Sequence, residues 1–239
     1  MIFSLASLSA HNLEQSVNSE DRSPDNVARD IYRHPYETLS FFGIKPDMTV
    51  VELNPGGGWY TEILANYIHY PGTLITAQGS YYFEGFEKKM NSNPMYGRVE
   101  IVNLNSNLAE PNSVDAVITF RNLHNWLGPE MDSIFGNSFR ALKPGGSFGV
   151  VEHRAKPGTD FETMKTSGYV TEDHAIEVAL KHGFELVEKS EINANPKDTK
   201  DHAKGVWTLP PTYTLKDKDK EKYSAIGESD RMTLLFRKP

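Results

Sequence analysis

The chain has 239 residues, 38% of them hydrophobic and 24% charged, with a net charge of −7 and no cysteine. That length suits one large domain or one domain with an elaboration, and the composition excludes a wholly disordered chain. The acidic balance argues against a nucleic-acid binder driven by bulk charge; the lack of cysteine excludes disulfides, thiolate metal sites and a cysteine nucleophile. No run of about 18 apolar residues is present, so no membrane span or membrane partner is expected.

Met1 to Ala10 (MIFSLASLSA) is apolar and small and ends in alanine, like the tail of a secretory signal. No Lys or Arg precedes Arg22, so the basic start of such a signal is missing. A cytoplasmic location is expected, with export the alternative if this stretch is a signal remnant. Residues 1–22 are read as a flexible arm or that remnant, and 23–239 as a single domain. Ser23-Pro24 has the form of an N-cap and first helical position, and Val27 and Ile31 supply the apolar face of a short helix. A second helix restarts at Pro35 with Leu39 and Phe42 and stops at Gly43.

Units of strand, turn and helix follow. Strands are expected at 49–53 (TVVEL), 73–77 (TLITA), 98–102, 114–120 (VDAVITF), 147–152 (SFGVVE), 184–192 and 232–237 (MTLLFR). Helical patterns fall between them. Trp59, Ile63, Leu64, Tyr67 and Ile68 share one helical face; Met131, Ile134, Phe135, Phe139 and Leu142 share another. Thr171 caps a later helix, with acids in its first turn and Lys181 and His182 in its last. Strands alternating with helices imply an α/β fold, a mostly parallel sheet with helices on both faces and an antiparallel last strand. Residues 193–231 break this rhythm as an insertion between the last two strands. The run 216–222 (KDKDKEK) reads as a solvated face of alternating charge.

The strongest local signal is VVELNPGGGWYT, residues 50–61. An apolar strand enters a glycine turn that opens a helix, where backbone can approach a ligand closely and free N–H groups are offered. The G-x-G-x-x-G of a dinucleotide fold is absent, which counts against a nicotinamide-dependent oxidoreductase. The arrangement resembles motif I of the class I S-adenosylmethionine-dependent methyltransferases, E/D-x-G-x-G-x-G, with Glu52 at the acidic position and Asn54 replacing the first glycine. VDAVITFRNLHNW, ALKPGGSFGVVEH and SGYVTEDHAIEVALKHGFELVE resemble later motifs of that family, in its order. RHPYETLSFFGIKPDMTVVELNPGGGWYTEILA, TFRNLHNW, SEINANPKDTKDHAKGVWTLPP and IGESDRMTL resemble a group of bacterial predicted methyltransferases of no implied substrate.

The resemblance implies a Rossmann-like seven-stranded sheet and S-adenosylmethionine as cofactor, held by Glu52, Asn54, Gly56, Gly57, Gly58, Tyr60, Gln78, Asn105 and Arg121. Gln78 stands where the family commonly has an acid for the ribose hydroxyls; its carbonyl can accept a hydrogen bond without charge assistance. Substrate groups should gather after strands four and five. His124 and His153 are candidates for a base or a substrate contact, the alternative being structural histidines. Asn122, Trp126, Arg154, Trp207, Asp230 and Arg231 are candidate substrate residues. Arg121 and Arg154 could also fork onto an anionic substrate, or form surface ion pairs. Residues 193–231 are expected to wall the pocket, with Trp207, Pro210, Pro211 and Tyr213 as a stiff edge and 228–231 pointing inward; Tyr32, Arg33 and His34 could cover the same opening. No metal is expected, because the eight histidines show no H-x-x-x-H spacing. The expected activity is methyl transfer to a small molecule; the alternative is a cofactor-binding or regulatory module of the same fold that has lost catalysis.

Overall fold

A computed structural model of the chain describes residues 11–239; the signal question at residues 1–10 lies outside them. Eight strands run Thr49–Leu53 (β1), Thr73–Gln78 (β2), Val99–Asn103 (β3), Val114–Phe120 (β4), Leu142–His153 (β5), Glu185–Ser190 (β6), Ala203–Val206 (β7) and Arg231–Arg237 (β8). Seven form one sheet in the order β3-β2-β1-β4-β5-β8-β6. The five from β3 to β5 pair in parallel, and β8 inserts antiparallel between β5 and β6. This is the seven-stranded sheet expected from the sequence.

The strand order reverses between β1 and β4, and open α/β sheets hold ligands outside the carboxyl ends at such a point. Side chains of β1 alternate between two cores. Val51 and Leu53 meet Val117, Phe135 and Phe148 on one face. Val50 meets Leu39, Phe42, Ile63 and Leu64 on the other. Burying each such side chain contributes roughly 1.5–3 kcal/mol. Phe42 lies flat on β5 because Gly149 has no side chain; a Cβ there would stand 2.6 Å from the ring.

Three expectations need correction. Residues 11–22 are not a loose arm. Helix Leu13–Val17 starts at an Asn12/Gln15 capping box and buries Leu13 and Val17, which join the Ile63–Leu64 core. Val27 and Ile31 do not form a buried face: they are 41% and 69% exposed. Arg22 and Arg33 are buried from this region instead, on Trp59 at 5.1 and 4.6 Å from its ring centroid. Ser23 does not cap its helix with its side chain; its hydroxyl donates to Glu62. The segment 193–231, between β6 and β8, holds the strand Ala203–Val206 and the helix Lys220–Ile226 as well as loop. Among the described residues, no helix is long and apolar enough to cross a membrane.

Candidate functional site

β1 leaves the sheet at Leu53 into a loop, Asn54 to Gly58, that opens the helix Trp59–Tyr67. Asn54, Gly56 and Gly58 take positive φ of 46, 58 and 75°. Asparagine tolerates this left-handed region better than most residues, so it can replace a glycine. Its side chain also works as a tie: Nδ2 donates to Asn122 Oδ1 at 3.0 Å, and Oδ1 accepts from the Gly79 N–H at 3.2 Å. Asn122 in turn donates to the carbonyls of Leu53 and Asn54 and to Thr119.

Gln78 is fully buried at the end of β2. Its Oε1 accepts from the Gly56 N–H and its Nε2 donates to the Gly56 carbonyl, both at 3.3 Å. A carboxylate could accept the first bond but not donate the second. The amide therefore clasps the loop with one bond from each of its polar atoms. Below the loop, Glu52 accepts from Thr61 Oγ1 at 2.6 Å, and burial pushes its carboxyl up to about 7. Lys89 Nζ reaches over to the Gly57 carbonyl at 2.7 Å. On the open side, a Cβ at Gly56 or Gly57 would meet nothing within 4 Å. The loop thus presents bare backbone to open space at the switch point. The residues present fit S-adenosylmethionine, which the bare glycine face would hold; Asn105, after β3, is exposed.

Arg121 begins the turn after β4, with φ of 61°. It lines a cavity of about 300 Å³, together with Arg29, His124, His153, Trp207 and Arg231. Its neighbour Asn122 is tied to the loop, so the end of β4 joins the glycine cradle to this cavity. His124 Nδ1 lies 3.0 Å from Glu152 Oε1. With Glu152 Oε1 as the acceptor, as it is for the His153 N–H, Nδ1 is the donor and Nε2 is the nitrogen outside this bond. Glu152 is fully buried and also accepts from the backbone N–H groups of His153 and His124. His153 Nδ1 meets Ser229 Oγ at 2.5 Å. Burial, then His124 and Arg121, hold His153 well below the usual imidazole range, so its ring is neutral at neutral pH.

One donor atom each from His124, Glu152 and His153 lie within 4.8 Å of one another. Spacing along the chain could not reveal this group, because its members follow two different strands. The set is chemically able to ligate a divalent ion. Yet Glu152 already serves three N–H donors, and Arg121 and Arg231 press positive potential on His153. The three therefore form a hydrogen-bonded acid–base pair with a neutral imidazole beside it.

Several predicted site residues do not line the cavity. Trp126 is 3% exposed and belongs to the main core. Asn122 is a tie between β1 and β4. Tyr60 stacks on Phe120 at 3.5 Å, donates to the Arg33 carbonyl and is pushed up to about 12 by burial. Arg154 is saturated by Asp230, Glu172 and Glu191 at 2.7–3.1 Å, and Asp230 also holds Lys200. That network braces 193–231 against β5. Trp207, Pro210 and Pro211 line the cavity, while Tyr213 bonds Ser224. Arg29 and Glu152 are the residues that sequence reasoning missed. An acid among strand residues, VVEH, was a readable signal for Glu152; Arg29 carried none.

The fold and the glycine loop agree with comparisons to known proteins. Residues 51–150 match a family model described as a methyltransferase domain. No curated protein sequence matches the chain. Among solved structures, an S-adenosylmethionine-dependent methyltransferase from Aquifex aeolicus is similar, with TM-score 0.63 and 14% identity over 96% of this chain and 100% of that one. Geranyl diphosphate C-methyltransferase from Streptomyces coelicolor A3(2), solved with S-adenosyl-L-homocysteine, gives TM-score 0.64 and 12% identity over 94% and 84%. The [4+2]-cyclase SpnF gives TM-score 0.61 and 16% identity over 95% and 92%. Residues 51–150 thus match a methyltransferase domain, and the fold is that of these S-adenosylmethionine-dependent methyltransferases.

Proposed function

We propose that the chain methylates a small molecule held in the cavity between His124, Arg121 and Trp207, by in-line displacement. The observation that carries this reading is the shared end of β4: Arg121 lines the cavity while Asn122 is bonded into the cofactor loop. The cofactor, when bound, supplies an already activated methyl group. The chain then has to align the acceptor, exclude water and take a proton where the attacking atom carries one. Gly56 to Gly58, Glu52 and Asn105 form the cofactor side, with Asn54, Gln78 and Asn122 fixing the loop. Trp207, Pro210 and Pro211 close the cavity to water. His124 takes the proton on Nε2, with Glu152 stabilising the imidazolium that results.

A small acceptor accords with the size of the cavity, and geranyl diphosphate is a small acceptor of one structural neighbour. The test is release of S-adenosylhomocysteine from S-adenosylmethionine in the presence of a cell extract split by size. Turnover with the low-mass fraction supports the reading; turnover only with the macromolecular fraction assigns a protein or nucleic-acid acceptor. A second reading, a binding module without turnover, is favoured by Gln78, whose amide is committed to the loop and leaves no acidic clasp for a ribose. Tight binding of S-adenosylhomocysteine with no product from either fraction would select it. A cytoplasmic location fits the cofactor's use; fractionation with N-terminal sequencing tests it, and a mature chain starting near His11 would defeat it.

A further inference from the structure

The charges around the cavity do not balance. Arg29, Arg33, Arg121 and Arg231 all act on the one carboxylate of Glu228. Arg29 Nε reaches it at 2.6 Å, Arg33 Nε at 3.4 Å, and Arg231 through Nη2. Four positive charges against one negative leave a surplus of three. The neighbouring acids are committed elsewhere, Glu152 to His124 and Asp230 to Arg154 and Lys200. Arg33 and Arg231 are each only 2% exposed, so water does little to offset the surplus.

The hydrogen-bond inventory shows the same deficit. Arg29 Nη2, both Nη atoms of Arg33 and Arg231 Nε are buried with no partner among the described residues. Arg29, Arg121 and Arg231 line the cavity, and Arg33 stands behind Glu228 against Trp59. Guanidinium donors left unfilled beside a cavity match an oxyanion that offers several oxygens.

We propose that this arginine cluster binds the phosphate or diphosphate group of the methyl acceptor, so that the substrate is a small phosphorylated molecule; this rests on the methyltransferase reading above. A carboxylate brings one negative charge and leaves two of the three unmatched. A phosphate ester brings about 1.5 to 2, and a diphosphate more. The chain's net charge of −7 disfavours a nucleic acid as the source of the phosphate. The anionic end would sit between Arg29, Arg121 and Arg231, leaving the reacting end toward His124 and Trp207, which line the same cavity.

Calorimetric titration of the full chain with pyrophosphate, inorganic phosphate and malonate, each beside S-adenosylhomocysteine, tests this. Pyrophosphate should bind at least tenfold tighter than malonate, with phosphate between. Arg29→Gln, at a partly exposed position, should weaken pyrophosphate about tenfold and leave S-adenosylhomocysteine unchanged. Glu228→Gln, where it folds, should tighten pyrophosphate by a similar factor by removing the internal competitor. Phosphatase treatment of the low-mass extract should abolish its acceptor activity. Pyrophosphate binding no tighter than malonate, or indifferent to Arg29→Gln, would overturn the proposal. So would Arg29→Gln and Arg121→Gln weakening S-adenosylhomocysteine but not pyrophosphate, which would give the cluster to the cofactor's own carboxylate. Pyrophosphate binding as expected with no binding of S-adenosylhomocysteine would support the anion site and defeat the methyltransferase reading alone.

Discussion

Removing the Glu228 carboxylate should be among the most damaging single changes in this chain. The side chain is 3% exposed and bonded to Arg29, Arg33 and Arg231. Burial alone would raise its carboxyl, but Arg231, Arg33, Arg121 and Arg29 together hold it at about 2, below the ordinary glutamate value of 4.5. At 1.36 kcal/mol per unit, that difference corresponds to about 3 kcal/mol of stability. Deleting one partner of a buried ion pair costs about 3–5 kcal/mol, because the charges left behind are unmatched. The two routes agree, and Glu228→Ala should therefore lose about 3 kcal/mol at pH 7. The folded-state value is depressed, so this contribution is fully present above pH 4.5 and is lost as pH falls toward 2. Urea denaturation of both proteins from pH 7 to pH 2.5 reads the difference directly; urea is uncharged and leaves the arginines unscreened. The gap between wild type and variant should hold to about pH 4.5 and then close. A gap below about 1 kcal/mol at pH 7 would refute the reasoning. A gap that stays constant through the acid range would show that it comes from packing rather than charge.

Three further outcomes follow from the cofactor loop. Gln78→Glu should destabilise the chain by about 1–3 kcal/mol, since a buried carboxylate cannot donate to the Gly56 carbonyl, and should weaken S-adenosylhomocysteine in calorimetry; tighter binding would mean the residue faces the ribose after all. Gly56→Val should cost about 1–2 kcal/mol for the left-handed backbone yet weaken S-adenosylhomocysteine more than tenfold, because its side chain fills the open cradle; unchanged affinity would place the cofactor elsewhere. Glu52 behaves oppositely to Glu228. Its folded value of about 7 lies above 4.5, so the folded chain keeps a proton that the unfolded chain loses, and stability falls as pH rises between the two. Glu52→Gln should remove that slope, gaining on wild type in urea melts at pH 8 relative to pH 5; an equal difference at both pH values would exclude it.

Most of the sheet was legible because its strands are apolar runs bounded by turn residues. β4 was read to its exact ends, since Asn112 and Arg121 flank it at positive φ. The glycine loop was legible for the same reason: consecutive glycines mark backbone that needs room. The N-terminal region was not: Leu13 and Val17 are buried by a helix of five residues, too short to show a period, and Arg22 and Arg33 stack on Trp59, where hydrophobic periodicity does not register a buried cation. Its exposed Val27 and Ile31 were the residues that periodicity selected. Gln78 looked like a weakened ribose ligand because sequence shows a residue's type but not where its amide points.

The arginine cluster was hidden for a more general reason. Its members come from positions 29, 33, 121 and 231, and only the fold brings them to one place. Composition pointed the other way, since the chain as a whole carries −7. Net charge governs what approaches the surface from a distance, where salt screens it within about 10 Å. Inside a cavity walled by protein, the nearest buried groups set the potential. Here those are four guanidiniums and one carboxylate. An acidic exterior and a cationic interior serve selectivity together. On the proposal above, the surface discourages long polyanions, while a small phosphorylated molecule reaches the cluster and is held by donors that the rest of the chain leaves unfilled.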